Sequence, residues 1–101
     1  MPVTVEITSG TARIILTGNL DYSTRSDIQQ AIRQVLEAEN IGAIEVDFEG
    51  AAFLDSSAIS ALLSLQKSAN RDGQSLALTN CSDEIREIFM IGGFDRVFMF
   101  R

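Results

Sequence analysis

Val3, Val5 and Ile7 alternate with Thr4, Glu6 and Thr8, the two-residue period of a strand with one face in solvent. Ser9-Gly10 predicts a tight turn into a second strand over about residues 12–17, ended by Gly18. A polar loop from Asn19 to Ser23 follows, with Ser23 or Ser26 as the cap of a first helix. Ile28, Ala31, Ile32, Val35 and Leu36 recur at helical spacing, which predicts that helix over about 24–39. After the break at Asn40-Ile41-Gly42, the next strand alternates again: Ile44, Val46 and Phe48 face one way, Glu45, Asp47 and Glu49 the other.

That third strand decides the layering. A central strand covered by helices on both faces is almost continuously apolar, whereas this one has a polar face meant for solvent. Residues 50–54 lead into Asp55-Ser56-Ser57, where Ser56 or Ser57 caps a second helix over about 57–71. Ile59, Leu62, Leu63, Gln66 and Ala69 form its inward stripe, and Gly73 suits a left-handed helix end. Ser75 to Thr79 reads as a fourth strand. Ser82 caps a third helix whose first turn holds Asp83 and Glu84, where the helix dipole favours acids. Gly92-Gly93 ends it, and residues 96–100 form a short edge strand. The resulting α/β chain is a single domain over 1–101 with two layers: a mostly parallel sheet with an N-terminal antiparallel edge strand, and helices on one face.

The charge narrows the choice of partners. The chain carries 14 acidic and 8 basic side chains, a formal net charge of −6. Nine of the acids but only three of the bases precede Ser56, and no basic residue lies between Arg33 and Lys67. Such a surface repels nucleic-acid phosphates and anionic membranes. One Cys and no His exclude a disulfide framework, a histidine-dependent triad and a cysteine-histidine zinc site. No stretch reaches 18 apolar residues, and residues 1–10 lack the basic start and apolar run of an export signal. The expected setting is cytoplasmic, without membrane insertion.

Enzyme chemistry finds little support. Gly92-Gly93 has no following Lys-Ser/Thr pair, and no glycine-rich dinucleotide fingerprint follows a strand. Asp21 and Asp55 can approach on neighbouring loops as an acid-base pair, or join Asp47 as oxygen ligands for magnesium. No aromatic-lined substrate site accompanies them, so no catalytic residue, metal or cofactor is expected. Lys67 reads as a surface lysine. Cys81 reads as a small buried hydrophobe, the alternative being a thiol activated by the following helix. Phe89, Phe94, Phe98 and Phe100 read as core and end-of-sheet packing, part of which could form an interface patch. Tyr22 is either a packing residue or an exposed contact.

The sharper constellation is Phe53-Leu54-Asp55-Ser56-Ser57 at a strand-to-helix junction. Its hydroxyls serve either as helix caps or as a phosphorylation target on a protruding corner. A phosphate adds about −1.5 to −2 charge, which the exposed helix amides tolerate. Asp55 and Asp21 make the local field more negative, so a partner bound there is repelled while the domain survives. Ser60, Ala61, Ser64 and Ser68 offer small side chains along the helix for close approach by a partner.

The chain resembles a stand-alone STAS domain of the bacterial anti-sigma-factor antagonists. The resemblance is carried by Leu16-Thr17-Gly18-Asn19-Leu20-Asp21, Val46-Asp47-Phe48, Phe53-Leu54-Asp55-Ser56-Ser57, Ala61-Leu62-Leu63 and Gly92-Gly93-Phe94-Asp95-Arg96-Val97-Phe98. It implies a non-enzymatic module that binds an anti-sigma factor with serine kinase activity and so frees a sigma factor. It further implies phosphorylation at Ser57, which ends the interaction, and a serine phosphatase that resets it. The implied recognition surface comprises Asp21, Tyr22, Asp55, Ser56, Ser57, Ala58, Ser60, Ala61 and Ser64. Ala58 and Ser60 depart from glycines common in the family, and the Ala58 methyl is expected to restrict a kinase's approach. The competing expectation is a constitutive STAS scaffold or accessory subunit in a lipid-transport or stress-signalling complex.

Overall fold

The structure is a computed structural model and describes residues 2–101; Met1, the first residue of the predicted domain, lies outside them. The elements run β1 (Val3–Thr8), β2 (Thr11–Leu20), α1 (Arg25–Glu37), β3 (Ala43–Leu54), α2 (Ser56–Arg71), β4 (Ser75–Thr79), α3 (Asp83–Ile91) and β5 (Met99–Phe100). A single turn of 3-10 helix, Tyr22–Thr24, precedes α1. Neighbours in the sheet follow sequence order, with β1 antiparallel to β2 and every later pair parallel.

The alternation sets which face is buried. Ser9 and Gly10 take φ values of 49° and 82°, the left-handed pair that lets two strands turn back on each other tightly. The resulting register sets Val3 opposite Leu16 and Val5 opposite Ile14, so their side chains share a face. On β3 the matching residues Ile44, Val46 and Phe48 are almost wholly buried. One continuous apolar cluster joins these to Ile28 and Val35 of α1, Leu62 and Leu65 of α2, and Ile85 and Phe89 of α3. The helices therefore form one layer, as the polar face of β3 predicts. On the open face, Glu45 accepts from Arg13 Nε at 3.4 Å and from an Arg101 guanidinium nitrogen at 2.6 Å.

Helix ends follow local chemistry. Gly73, at φ 70°, ends α2: the Gln74 amide donates to Ala69 C=O at 2.9 Å and the Gly73 amide to Asn70 C=O at 3.4 Å. Ser82 caps α3 by accepting from the Ile85 amide, as its position predicts. Phe89 packs edge-on against Phe48, Phe98 and Phe100, so the C-terminal phenylalanines are mainly core. Phe94 is half-buried against the same cluster.

Several expectations are corrected. Gly18 does not end β2, and residues 50–54 are not a lead-in: both strands continue, with Thr17 opposite Gly50 and Leu20 opposite Leu54. Gly18 keeps the strand going by taking φ 75° between two register shifts, a bulge that only a glycine makes without strain. Asp47 lies on the open face yet is only 7% exposed. It accepts from the Glu49 amide and from Asn80 Nδ2, each at 3.0 Å, so the turn after β4 covers it. The predicted edge strand shrinks to Met99–Phe100, because the chain from Gly92 to Val97 turns rather than extends.

Candidate functional site

Two neighbouring parallel strands end side by side here. Leu20 and Leu54 are register partners, both essentially inaccessible, and the Asp55 amide donates to Leu20 C=O at 3.0 Å. The chain leaves each strand by the same pattern, Asp21-Tyr22-Ser23 and Asp55-Ser56-Ser57. Apolar side chains thus anchor the strand ends, while polar loops emerge at the carboxyl edge of the sheet, where open α/β sheets hold their sites.

The two junctions solve their backbone problem alike. Asp55 sits in extended conformation before α2, and its Oδ1 accepts from the amides of Ser57 at 3.0 Å and Ala58 at 3.1 Å. The same oxygen accepts the Ser57 hydroxyl at 2.6 Å. Asp55 is therefore the cap, not Ser56 or Ser57; a carboxylate meets two unpaired helix amides at once and carries the charge that the helix dipole favours. The Ser57 hydroxyl chiefly holds the Asp55 carboxyl below its ordinary 3.8; desolvation opposes it, and the amides of Ala58, Ser57 and Tyr22 add to it.

At the first junction neither Ser23 nor Ser26 caps α1. Thr24 occupies the boundary with no side-chain cap bond, because Asp21 first organises the 3-10 turn. Asp21 Oδ1 accepts from the Ser23 amide at 3.0 Å and from its hydroxyl, and Thr24 Oγ1 donates to Asp21 C=O at 2.8 Å.

Between α1 and α2 runs an open groove of ≈ 460 Å³ lined by Ser56, Ser57, Ser60, Ala61 and Ser64, with Arg25 and Gln29 opposite. Five of the nine residues expected to meet a partner thus share one surface. Tyr22, 72% exposed, stands beside it with the Arg25 guanidinium carbon 5.9 Å from its ring centroid. Asp21 and Asp55 are half-buried at the adjoining junctions. Ala58 is the exception. It is 3% exposed and belongs to the apolar core, so its methyl lies in the core and not in the groove where the sequence reading puts it.

Arg25 and Gln29, which line the groove opposite the serines, escaped the sequence reading. One signal was available for Arg25. A basic residue opening a helix opposes the dipole, and a locally unfavourable choice marks a position selected for something else. Gln29 follows one turn later on the same polar face.

The other candidates separate. Among the described residues no three His, Cys, Asp or Glu side chains gather as a metal site, and Asp21 and Asp55 are both engaged in their turns. Lys67 is exposed on α2. Burial pushes the Cys81 thiol up to about 11, with Arg86 lowering and Asp47 raising it, which fits the inert reading. No helix among the described residues is long and apolar enough to cross a membrane.

Comparison with known proteins agrees with this fold. The family model described as Mlab, STAS domain, matches residues 3–100. A STAS-domain containing protein of Pseudomonas aeruginosa, PA14_20770, is 34% identical over 85 residues, 84% of this chain and 82% of its own length. Among solved structures, the unphosphorylated anti-sigma factor antagonist SpoIIAA superposes with a TM-score of 0.76 at 23% identity, covering 98% of this chain and 86% of its own. An anti-sigma factor antagonist from Mycobacterium paratuberculosis gives 0.84 at 21% identity, covering 97% and 82%. A sulfate transporter family protein from Wolinella succinogenes gives 0.78 at 18% identity, covering 94% and 80%, so the fold is shared with a transport context too.

Proposed function

The chain belongs to the STAS domain family, and from that premise we propose that it is an anti-sigma-factor antagonist switched by phosphorylation at Ser57. Residues 1–101 act as one cytoplasmic, non-enzymatic binding domain. The observation that carries the reading is the Ser57 hydroxyl, held at the start of α2 on the wall of the open groove between α1 and α2. In its unmodified state the domain binds an anti-sigma factor that is also a serine kinase, through Tyr22, Ser56, Ser57, Ser60, Ala61 and Ser64. That binding releases the sigma factor.

The switch is a phosphoryl transfer. Ser57 Oγ forms a bond to the γ-phosphorus of a nucleoside triphosphate held by the partner, and the bond to the bridging oxygen breaks. The nucleoside diphosphate leaves with that electron pair, and the hydroxyl proton passes to a base. Asp55, with its carboxyl lowered and committed to the helix amides, is a poor proton acceptor. The base therefore belongs to the kinase. The product places about −1.5 to −2 of charge against Asp55, and the complex dissociates; a serine phosphatase restores the hydroxyl.

The test is an affinity capture with and without ATP, followed by phosphosite mapping. The expected result is a kinase-containing complex that ATP dissolves, with phosphate on Ser57. A stable complex indifferent to ATP, with no phosphate at Ser57, overturns the reading. That outcome favours the second one, a constitutive scaffold or accessory subunit of a lipid-transport or stress-signalling complex. One observation supports it: the Ser57 hydroxyl already has a structural task in holding Asp55.

A further inference from the structure

The bond between Ser57 and Asp55 is one that phosphorylation must destroy. The hydroxyl donates its only proton to Asp55 Oδ1 across 2.6 Å. Esterification replaces that proton with phosphorus, leaving an acceptor-only ester oxygen and a dianion against a carboxylate. Asp55 cannot withdraw cheaply, because the same Oδ1 also accepts the amides of Ser57 and Ala58. The Ser57 side chain is the part free to rotate, and the groove lies beside it.

That groove contains the needed counter-charge. Arg25 lines its far wall from the first turn of α1, with Gln29 one turn on and Ser60 on the near side. Arg25 is exposed and, among the described residues, its guanidinium makes none of the ion pairs; it stands 5.9 Å from the centroid of the Tyr22 ring. It also borders the adjacent hollow formed by Tyr22, Ser23 and Ser26, so its side chain has room on both sides. A guanidinium is fully charged at every working pH and matches phosphate with two parallel donors.

We propose that Arg25 is an intramolecular acceptor for the Ser57 phosphate: on modification the phosphoserine turns from Asp55 into the groove and pairs with Arg25, covering the α1–α2 surface. This rests on the reading of Ser57 as a phosphorylation site. It adds a second element to the switch, since the modified domain then occupies its own docking groove as well as repelling a partner by charge.

The experiment needs no kinase. Protein carrying phosphoserine at position 57, introduced during translation, is titrated by phosphorus NMR, alone and with Arg25→Gln or Arg33→Gln. Arg33 lies on the same helix outside the groove and controls for the lost charge. A free phosphoserine loses its second proton near about pH 6. With Arg25 paired to it the value is lower than in R25Q by at least about half a unit, since a close cation favours the dianion, and R33Q matches the unsubstituted protein. Equal values for the unsubstituted protein and R25Q overturn the proposal, as does an R33Q shift as large as that of R25Q. Failure of a kinase to modify Ser57 touches the functional reading, whereas this titration reports on Arg25 alone.

Discussion

Ser57 donates its hydroxyl proton to the Asp55 carboxylate at 2.6 Å while Asp55 caps the helix whose first turn holds Ser57. One oxygen therefore serves the stability of α2 and the chemical state of the serine together. Any change to either residue is felt by both.

Replacing Asp55 tests the stability half. Asp55→Ala removes the acceptor for the Ser57 and Ala58 amides and for the Ser57 hydroxyl. Loss of such a cap costs about 1 to 2 kcal/mol, which urea denaturation reads as a lower midpoint with an unchanged slope. Asp55→Asn keeps an acceptor oxygen but not the charge, and falls between. The acid dependence has a definite sign. The folded-state pKa is depressed below 3.8, so the contribution of ionised Asp55 is complete above that value and lost as pH falls through the folded pKa. The gap between wild type and Asp55→Asn, wide at neutral pH, closes in strong acid. A gap independent of pH contradicts the assignment.

Ala58 separates fold from function. Its methyl is buried in the core, not in the groove. Ala58→Gly loses a buried methyl and gains unfolded-state freedom, a cost of about 1 to 1.5 kcal/mol. Calorimetric unfolding should show that loss, while affinity for the partner of the unmodified domain stays the same. A stronger complex in the glycine variant would mean that the methyl does obstruct the partner.

The alternation of apolar and polar residues carried most of the architecture. Ile44, Val46 and Phe48 against Glu45, Asp47 and Glu49 were enough to predict one helical layer, because a strand's period is set by its backbone and not by its surroundings. The cap was misread because Ser and Asp are equally good N-caps, and only the extended conformation of Asp55 places its carboxylate over the helix amides. The strand ends were misread because Gly18 normally signals a stop, whereas here a bulge absorbs it. Beyond the hint of a basic residue opening a helix, the place of Arg25 opposite Ser57 across the groove depends on two helices lying side by side, a relationship that no local pattern contains. Asp47, placed on the solvent face by the alternation alone, is covered for a similar reason: Asn80, which donates to it, is 33 residues away.

Gly50 is fixed by a side chain rather than by its own dihedrals. A Cβ there meets Thr17 Cγ2 at 2.9 Å, across the β2–β3 pair that leads to the site. Gly50→Ala should destabilise the protein by about 1 to 3 kcal/mol through overpacking. Thr17→Ser deletes the offending methyl and keeps the hydroxyl, so the double variant should recover much of that loss. Additive costs in a double-mutant cycle of urea midpoints would show that the strain lies elsewhere.

Cys81 gives the remaining prediction. Burial dominates its raised pKa of about 11, the guanidinium of Arg86 opposes the shift, and the carboxylate of Asp47 adds to it. Against an ordinary thiol at 9.0 the thiolate fraction near neutral pH falls about a hundredfold. Alkylation of the native protein should therefore be at least that much slower than in denaturant, with a rate that climbs about tenfold per pH unit into the alkaline range. The neighbours give the sign of two further variants. Arg86→Gln removes the opposing cation and slows alkylation further; Asp47→Asn removes a repelling charge and speeds it. A native rate matching the denatured one, or a plateau reached near pH 8, would identify Cys81 as an activated thiol and reverse the assignment.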